Sequence, residues 1–375
     1  MSSENATASQ KYEPGTHPDL EPPLGTSGPI FWLKTNLFGS ITSTVLTVLS
    51  IYLLWSILVP LTDWAIFNAT FNAESRSECQ QLNDGACWAF IKSRFLVFVY
   101  GFYPRDEWWR PNLAFILLMV SVASVLWDNM PARKQFIIFA ALYPFIAGWL
   151  LLGGFGLTGV ETDRFGGILL TIVIGVTGIS FSLPIGIVLA LGRQSHLPIV
   201  RIVCIGFIEF IRGVPLITLL FVASTMLTYF LPPGTQFDLL LRVLIMVTLF
   251  ASAYMAEVVR GGLQAIPKGQ YEAADSMGLK YWQSVRLIIL PQALKISIPG
   301  IVNTFIGLYK DTTLVSVIGL LDPIGITDSA LADNTWQGLS TEAYLFIAVF
   351  FFICCFSMSR YSLYLENKLH TGHKR

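Results

Sequence analysis

The sequence predicts an all-α, polytopic integral membrane protein with about eight transmembrane helices, and three observations carry that prediction. Only 13% of the 375 residues are charged, where a soluble domain carries roughly a quarter. Hydrophobic residues make up 54% of the chain, and they gather in runs near the ~20 residues that a spanning helix needs. The charges fall mostly between those runs. With 24 Lys plus Arg against 24 Asp plus Glu, no basic stripe with interleaved aromatics points to nucleic acid.

Residues 1–36 are polar and carry Pro14, Pro18, Pro22, Pro23 and Pro29. Such a segment buries too little apolar surface to offset its ordering entropy and is expected to be a flexible tail. A cleaved signal would put a cationic region and a short apolar core first, so the run at 37–61 is expected to be an uncleaved transmembrane anchor. Residues 62–111 return to polar composition and read as a loop outside the membrane. Cys79 and Cys87 lie there in the phrase CQQLNDGACW. A disulfide suits an oxidising compartment, and two free thiols fit the spacing equally. Further on, Trp88, Phe90, Phe95, Phe98 and Tyr100 are interrupted by Lys92 and Arg94. The uncharged remainder is too short to span and predicts an interfacial helix.

Spans two and three, Leu113 to Trp127 and Gln135 to Leu152, fill residues 112–153. The segment 154–375 then supplies five more: Gly167 to Leu191, Val214 to Leu231, Leu239 to Tyr254, Ile296 to Leu321 and Ala343 to Tyr361. A turn at Pro232, Pro233 and Gly234 joins the second and third of these. Cys204, Cys354 and Cys355 sit in apolar runs as small buried or lipid-facing thiols, and no cysteine has zinc-ligand spacing with a histidine. Arg133, Lys134, Arg193, Arg201, the 257–291 stretch and the final Lys368, Lys374 and Arg375 fall on one side of the membrane, which the positive-inside rule makes cytoplasmic. Asp322, Asp328, Asp333 and Glu342 fall on the other. Both termini are then expected in the cytoplasm. The 62–111 loop dissents with Arg76, Lys92, Arg94, Arg105 and Arg110, but long loops translocate with less regard for charge.

Between two of the spans lies a charged, glycine-punctuated island, residues 257–291. Pro267 suits a first helical turn, Tyr271 to Met277 favours helix, and Gly278 suits the left-handed residue that ends it. A second helix from Tyr281 to Leu290 completes a hairpin along the membrane face. Glu272 favours the positive helix N-terminus, and Ala273 with Ala274 offers a smooth side to another backbone. A docking knob for a soluble partner and an ordinary amphipathic loop both fit this shape.

Lys310 and Asp311 fall inside an apolar span, where charges are costly and usually face a polar pathway. With the Thr312 and Thr313 hydroxyls they offer a cation and an anion to a zwitterion at the depth where transporters commonly bind cargo. A structural ion pair pinning this helix is the other reading. Glu209 and Arg212, three apart at a helix start, are placed for mutual pairing, and a structural role is favoured for them.

EAADSMGLKYWQSVRLIILP resembles the EAA loop of ABC importer permeases, and Glu272, Ala273, Ala274, Gly278, Ile288, Leu290 and Pro291 meet every fixed position of that pattern. IEFIRGVPLITLLF, with Glu209, Arg212, Gly213 and Pro215, resembles a segment of the polar amino acid permeases of the histidine and glutamine type. NTFIGLYKDTTLVSVIGLLD, from Asn303, resembles their Lys-Asp-Thr-Ser-Leu helix with Thr313 in place of Ser. The extra N-terminal helices and the cysteine loop are similar to the longer M-type subunit of bacterial general L-amino acid transporters.

The resemblance implies a five-helix permease core within 154–375 of a bacterial inner membrane protein. It also implies that Tyr271 to Gly278, Asp275 included, forms a coupling helix seated in an ATP-binding subunit. Asn303, Lys310, Asp311, Thr312 and Thr313 would then lie on a substrate pathway for an L-amino acid. The chain has no Gly-x-x-x-x-Gly-Lys-Ser/Thr loop for nucleotide phosphates, so ATP would be used by a separate ATPase dimer, and this chain is expected to bind no cofactor or metal. One EAA loop against two ATPases implies a second, shorter permease chain. A periplasmic solute-binding protein would deliver cargo. A secondary transporter would leave the EAA loop without a task, and an intramembrane enzyme lacks any catalytic constellation in a span.

Overall fold

The computed structural model describes residues 28–127, 132–226, 229 and 237–369. The expected turn at Pro232 to Gly234, the first 27 residues of the expected tail, and Lys374 with Arg375 lie outside them. The described chain divides into two compact units: residues 28–69 with Asp84–Ala86, and Thr70–Asn83 with Cys87 onward.

The first unit holds α1, Pro29–Leu37, and α2, Ile41–Thr62, which a π-turn at Asp63–Phe67 extends. Residues 29–36 are thus helical where a flexible tail was expected. Pro29 stands at the first helical position, where its fixed φ and missing N–H cost nothing. Ser40 caps α2 by accepting from Ser43 N at 3.1 Å, and Thr47 Oγ1 donates to the Leu37 carbonyl at 2.9 Å. No residue of α2 is buried.

The second unit begins with α3, Arg76–Leu82, and α4, Trp88–Tyr100. Cys79 and Cys87 are joined by a disulfide with Cα atoms 5.8 Å apart. The expected interfacial helix forms as α4, which buries Phe90 and Phe98 completely and leaves Phe95 and Leu96 exposed. Phe90 meets Trp336 at 5.8 Å and Phe98 meets Phe346 at 5.5 Å. Its apolar face had protein to bury against, which composition could not reveal. Then come α5, Trp109–Leu126, and α6, Arg133–Leu152, an antiparallel pair. Arg110, 1% exposed, fastens the far end of this pair by donating to the Thr158 carbonyl at 2.7 Å and pairing with Glu107 at 2.9 Å.

The centre of the unit is α7, Gly167–Arg193, packed on α10, Leu239–Gln264, which packs in turn on α13, Leu290–Asp311. Between them run α8, Pro198–Gly213, and α9, Leu216–Phe221, which turn by 102° at their junction. One straight span from Val214 was expected; Pro215 instead holds Val214 in extended backbone, φ −110° and ψ 133°, the bias of any residue before proline. Arg242 donates to the Ala223 and Ser224 carbonyls at 3.1 and 2.7 Å, satisfying backbone acceptors left over at that helix end.

After α10 come α11, Lys268–Ser276, and α12, Tyr281–Ser284. The expected stop at Pro291 does not occur. A π-turn at Val285–Ile289 leads directly into α13, and such a wide turn accommodates the proline ring against the preceding carbonyls. After a 3₁₀ stretch at Thr312–Ile318, α14, Pro323–Leu331, and α15, Ser340–Leu369, close the unit. Among the described residues seven helices are long and apolar enough to cross a membrane, eight if the bent α8–α9 pair counts as one span.

Candidate functional site

Three groups of the expected residues fall along one line of helices. The first is the α11 hairpin. Pro267, extended at φ −58° and ψ 139°, precedes α11, and Gly278 ends it at φ +70°. Leu279 N donates to the Ala274 carbonyl at 3.2 Å and Gly278 N to that of Asp275 at 2.9 Å, the paired bonds of a Schellman close. The inner side is anchored. Ala274 is fully buried, Tyr271 Oη donates to the Leu263 carbonyl at 3.3 Å, and Gln292 Nε2 donates to Gln270 Oε1 at 3.1 Å. Glu272, Ala273, Asp275 and Met277 are exposed on the outer side, as are Tyr281 and Trp282. The two alanines therefore divide, Ala274 facing inward and Ala273 outward. Leu290 is half-buried and Pro291 exposed at the root of α13.

The second group centres on Glu257, a residue the sequence marked only as the start of the island. Its carboxylate meets Arg193 of α7 at 2.7 Å, Arg260 of α10 at 2.7 Å and Arg212 of α8 at 3.7 Å. Glu209 also turns to Arg193, at 2.9 Å. The expected Glu209–Arg212 pair is replaced by this arrangement, because α8 continues to Gly213 and puts both residues near its end, opposite α7 and α10. Two Glu-x-x-Arg phrases, 209–212 and 257–260, were the sequence signal for the cluster. Gly213 and Pro215 form the bend just beyond it.

The third group is the expected pathway. Asn303, Thr304, Gly307 and Asp311 of α13 line a cavity of about 290 Å³ with Phe250, Ala251 and Tyr254 of α10. Lys310 is exposed and does not line it. Consecutive helical residues do not share a face, so the adjacent cation and anion separate. Thr312 is fully buried and donates to the Tyr309 carbonyl at 2.7 Å; Thr313 donates to that of Lys310 at 2.9 Å. Both hydroxyls can still accept.

The second and third groups meet at Tyr254, whose ring lines the cavity while the Arg212 guanidinium sits 5.6 Å from its centroid. The first group joins them through close backbone contact between α10 and α13. A Cβ on Gly262 would lie 2.0 Å from Ser297 Oγ and 2.5 Å from the Ala293 carbonyl, and Ser297 Oγ donates to the Val258 carbonyl at 3.2 Å. Among the described residues no group of three or more His, Cys, Asp or Glu is placed to hold a metal ion.

Residues 182–371 match the family described as binding-protein-dependent transport system inner membrane component. The chain is 51% identical over 359 residues to the inner membrane amino-acid ABC transporter permease protein YhdY of Escherichia coli strain K12, covering 95% of this chain and 97% of that one. It is 46% identical over 420 residues to the glutamate/glutamine/aspartate/asparagine transport system permease protein BztC of Rhodobacter capsulatus, covering 94% and 96%. A solved amino acid ABC transporter with histidines is 29% identical over 53% of this chain and 90% of its own, with a TM-score of 0.47. The chain belongs to the family of binding-protein-dependent transport system inner membrane components, and it is a multi-pass transport subunit rather than an enzyme.

Proposed function

We propose that this subunit forms part of the translocation pathway of an ATP-driven importer for L-amino acids and takes its drive from a separate ATPase dimer through the α11 hairpin. The observation that carries the reading is that hairpin: Glu272, Ala273, Asp275 and Met277 face outward while Tyr271 and Gln270 bond its root to α10 and α13. A push on it reaches Glu257 and the Asp311 cavity through helices already in contact. The names of the relatives, amino-acid permeases both, support the cargo class.

In this arrangement the hairpin and both termini face the cytoplasm. Residues 154–375 form the permease core, with 257–291 as its coupling loop, and the segments before 154 are additions to it. A second, shorter permease chain completes the pathway, and a periplasmic solute-binding protein delivers cargo. Asp311 receives the substrate ammonium. Asn303 supplies a neutral polar contact near it, Thr312 and Thr313 stand behind the cavity wall rather than in its lining, and Lys310 acts on the approach rather than inside the cavity.

Reconstitution with the ATPase, the second permease and the binding protein in proteoliposomes tests this. Gly278→Asp forces a side chain onto a left-handed residue at the hairpin's joint and is expected to abolish both ATPase co-purification and ATP-coupled uptake of radiolabelled amino acid. Unchanged uptake would overturn the docking role.

A further inference from the structure

A second cavity, about 730 Å³, lies between α5, α6, α7 and α10, with a lining separate from that around Asp311. Its walls are apolar, with Phe145, Leu152, Val173, Val176, Phe181 and Leu244 prominent. Along α7 the lining runs from Leu169 to Phe181, about twelve residues or ~18 Å of helix. One leaflet of a hydrocarbon core ~30 Å thick is ~15 Å deep. The cavity is therefore about one leaflet long. Phe145, Leu152 and Leu241 are 62%, 43% and 43% exposed, so the slot is open along its side.

The mouth is of different chemistry. Glu161, Thr162, Asp163 and Asp238 line it. Thr162 Oγ1 donates to Asp238, whose other oxygen accepts from Leu241 N at 2.9 Å. Arg164 comes within 4.0 Å of Glu161; with Arg110 and Glu107 paired to each other at the same end, three carboxylates remain against one guanidinium. An apolar slot one leaflet deep, open along its side and topped by carboxylates, has the form of a phospholipid site that favours an ammonium headgroup and disfavours an anionic one.

We propose that this slot holds an acyl chain of an amine-bearing phospholipid of the phosphatidylethanolamine type, with the headgroup ammonium at Glu161 and Asp163. The lipid fills the space that α6 leaves between itself and α7, and so supports the α5–α6 pair against the core. Arg110 and Thr158 fasten that pair at the mouth end, and among the described residues only the Phe145–Phe181 rings, 5.5 Å apart, bridge the slot toward its far end.

The test uses the full chain in its transport complex, in nanodiscs of equal phosphatidylethanolamine and phosphatidylglycerol, with lipid retained after detergent exchange measured by mass spectrometry. About fivefold enrichment of phosphatidylethanolamine is expected, the ratio one charge contributes near a membrane surface. Gly148→Phe puts a ring into the slot from a position where an added Cβ meets nothing within 4 Å; it is expected to lose the retained lipid with the complex still assembled. Should that variant fail to assemble, Glu161→Lys with Asp163→Lys, both on the surface, reads the same site and is expected to shift retention to phosphatidylglycerol. Equal retention of the two lipids by the unaltered chain overturns the proposal. So does retention unchanged by both variants, or cross-linking of a protein helix rather than lipid from Gly148→Cys.

Discussion

Asp322 stands where the chain leaves the 3₁₀ stretch for α14, with no exposed surface. One carboxylate oxygen accepts from Gly325 N at 2.9 Å and caps α14; the other has no partner. Burial pushes its carboxyl up to about 6, backbone N–H groups of Gly325 and Ile324 pull it back in part, and nearby Asp328 raises it again. In the unfolded chain the group titrates near the ordinary ~3.9. Between those two values the folded protein binds more protons than the unfolded one, so the contribution falls as pH rises from ~4 to ~6 and stays low above. Asp322→Asn keeps an oxygen for the cap and removes the charge. It is expected to raise stability at pH 7.5 by about 2 kcal/mol, with the gain fading toward pH 4, as read by thermal unfolding in detergent across that range. The sequence marked Asp322 only as one acid of an outer loop. Its burial depends on long-range contacts such as Gly167 N donating to the Leu321 carbonyl, which no local pattern encodes.

At the scale of elements, the ends of α7, α8 and α10 are held together chiefly by one carboxylate. The Glu257 side chain is 15% exposed and serves three guanidiniums, whereas the Glu209 side chain is 54% exposed and serves one. Removing one partner of a buried pair costs about 3–5 kcal/mol, and exposed pairs contribute about 0–1 kcal/mol. Glu257→Gln is therefore expected to cost about 2 kcal/mol, between those limits, and Glu209→Gln under about 1 kcal/mol. Melting temperatures of the two variants, measured side by side, check the order; equal losses would show that the hub is not centred on Glu257. Much of this region was legible in advance. Gly278 gave the hairpin's joint because few other residues tolerate its φ, and the apolar runs gave the spans by length alone. The α8–α9 bend was missed because hydropathy carries no direction, and the continuous helix through Pro291 because a π-turn has no composition of its own.

For the whole molecule, the question is how motion at the hairpin reaches a cavity along the C-terminal half of α13. Two routes leave α11. One is α13 itself, continuous from its root to Asp311. The other runs up α10, through Glu257 and Arg212, to the Tyr254 ring that forms one wall of the cavity. Because α10 and α13 meet backbone to side chain at Gly262 and Ser297, the two helices cannot slide past each other there without a cost. They must tilt as a pair, and the wall opposite Asp311 then moves with Arg212 and α8. The ring of Tyr254, not its hydroxyl, is what Arg212 faces. Tyr254→Phe keeps that face and is expected to preserve coupling. Tyr254→Ala removes a cation–π contact of about 0.5–1 kcal/mol together with the cavity wall. It is expected to leave the partner ATPase turning over while transport per ATP falls several-fold, as measured by uptake and phosphate release in the same proteoliposomes. Equal loss in both variants would assign the hydroxyl a role in the cavity and take the ring out of the coupling route. Loss of ATPase binding in Tyr254→Ala would place the effect at the hairpin instead. Only the pattern of retained ATP turnover with lost transport, rescued by phenylalanine, fits a wall that α8 and α10 move together.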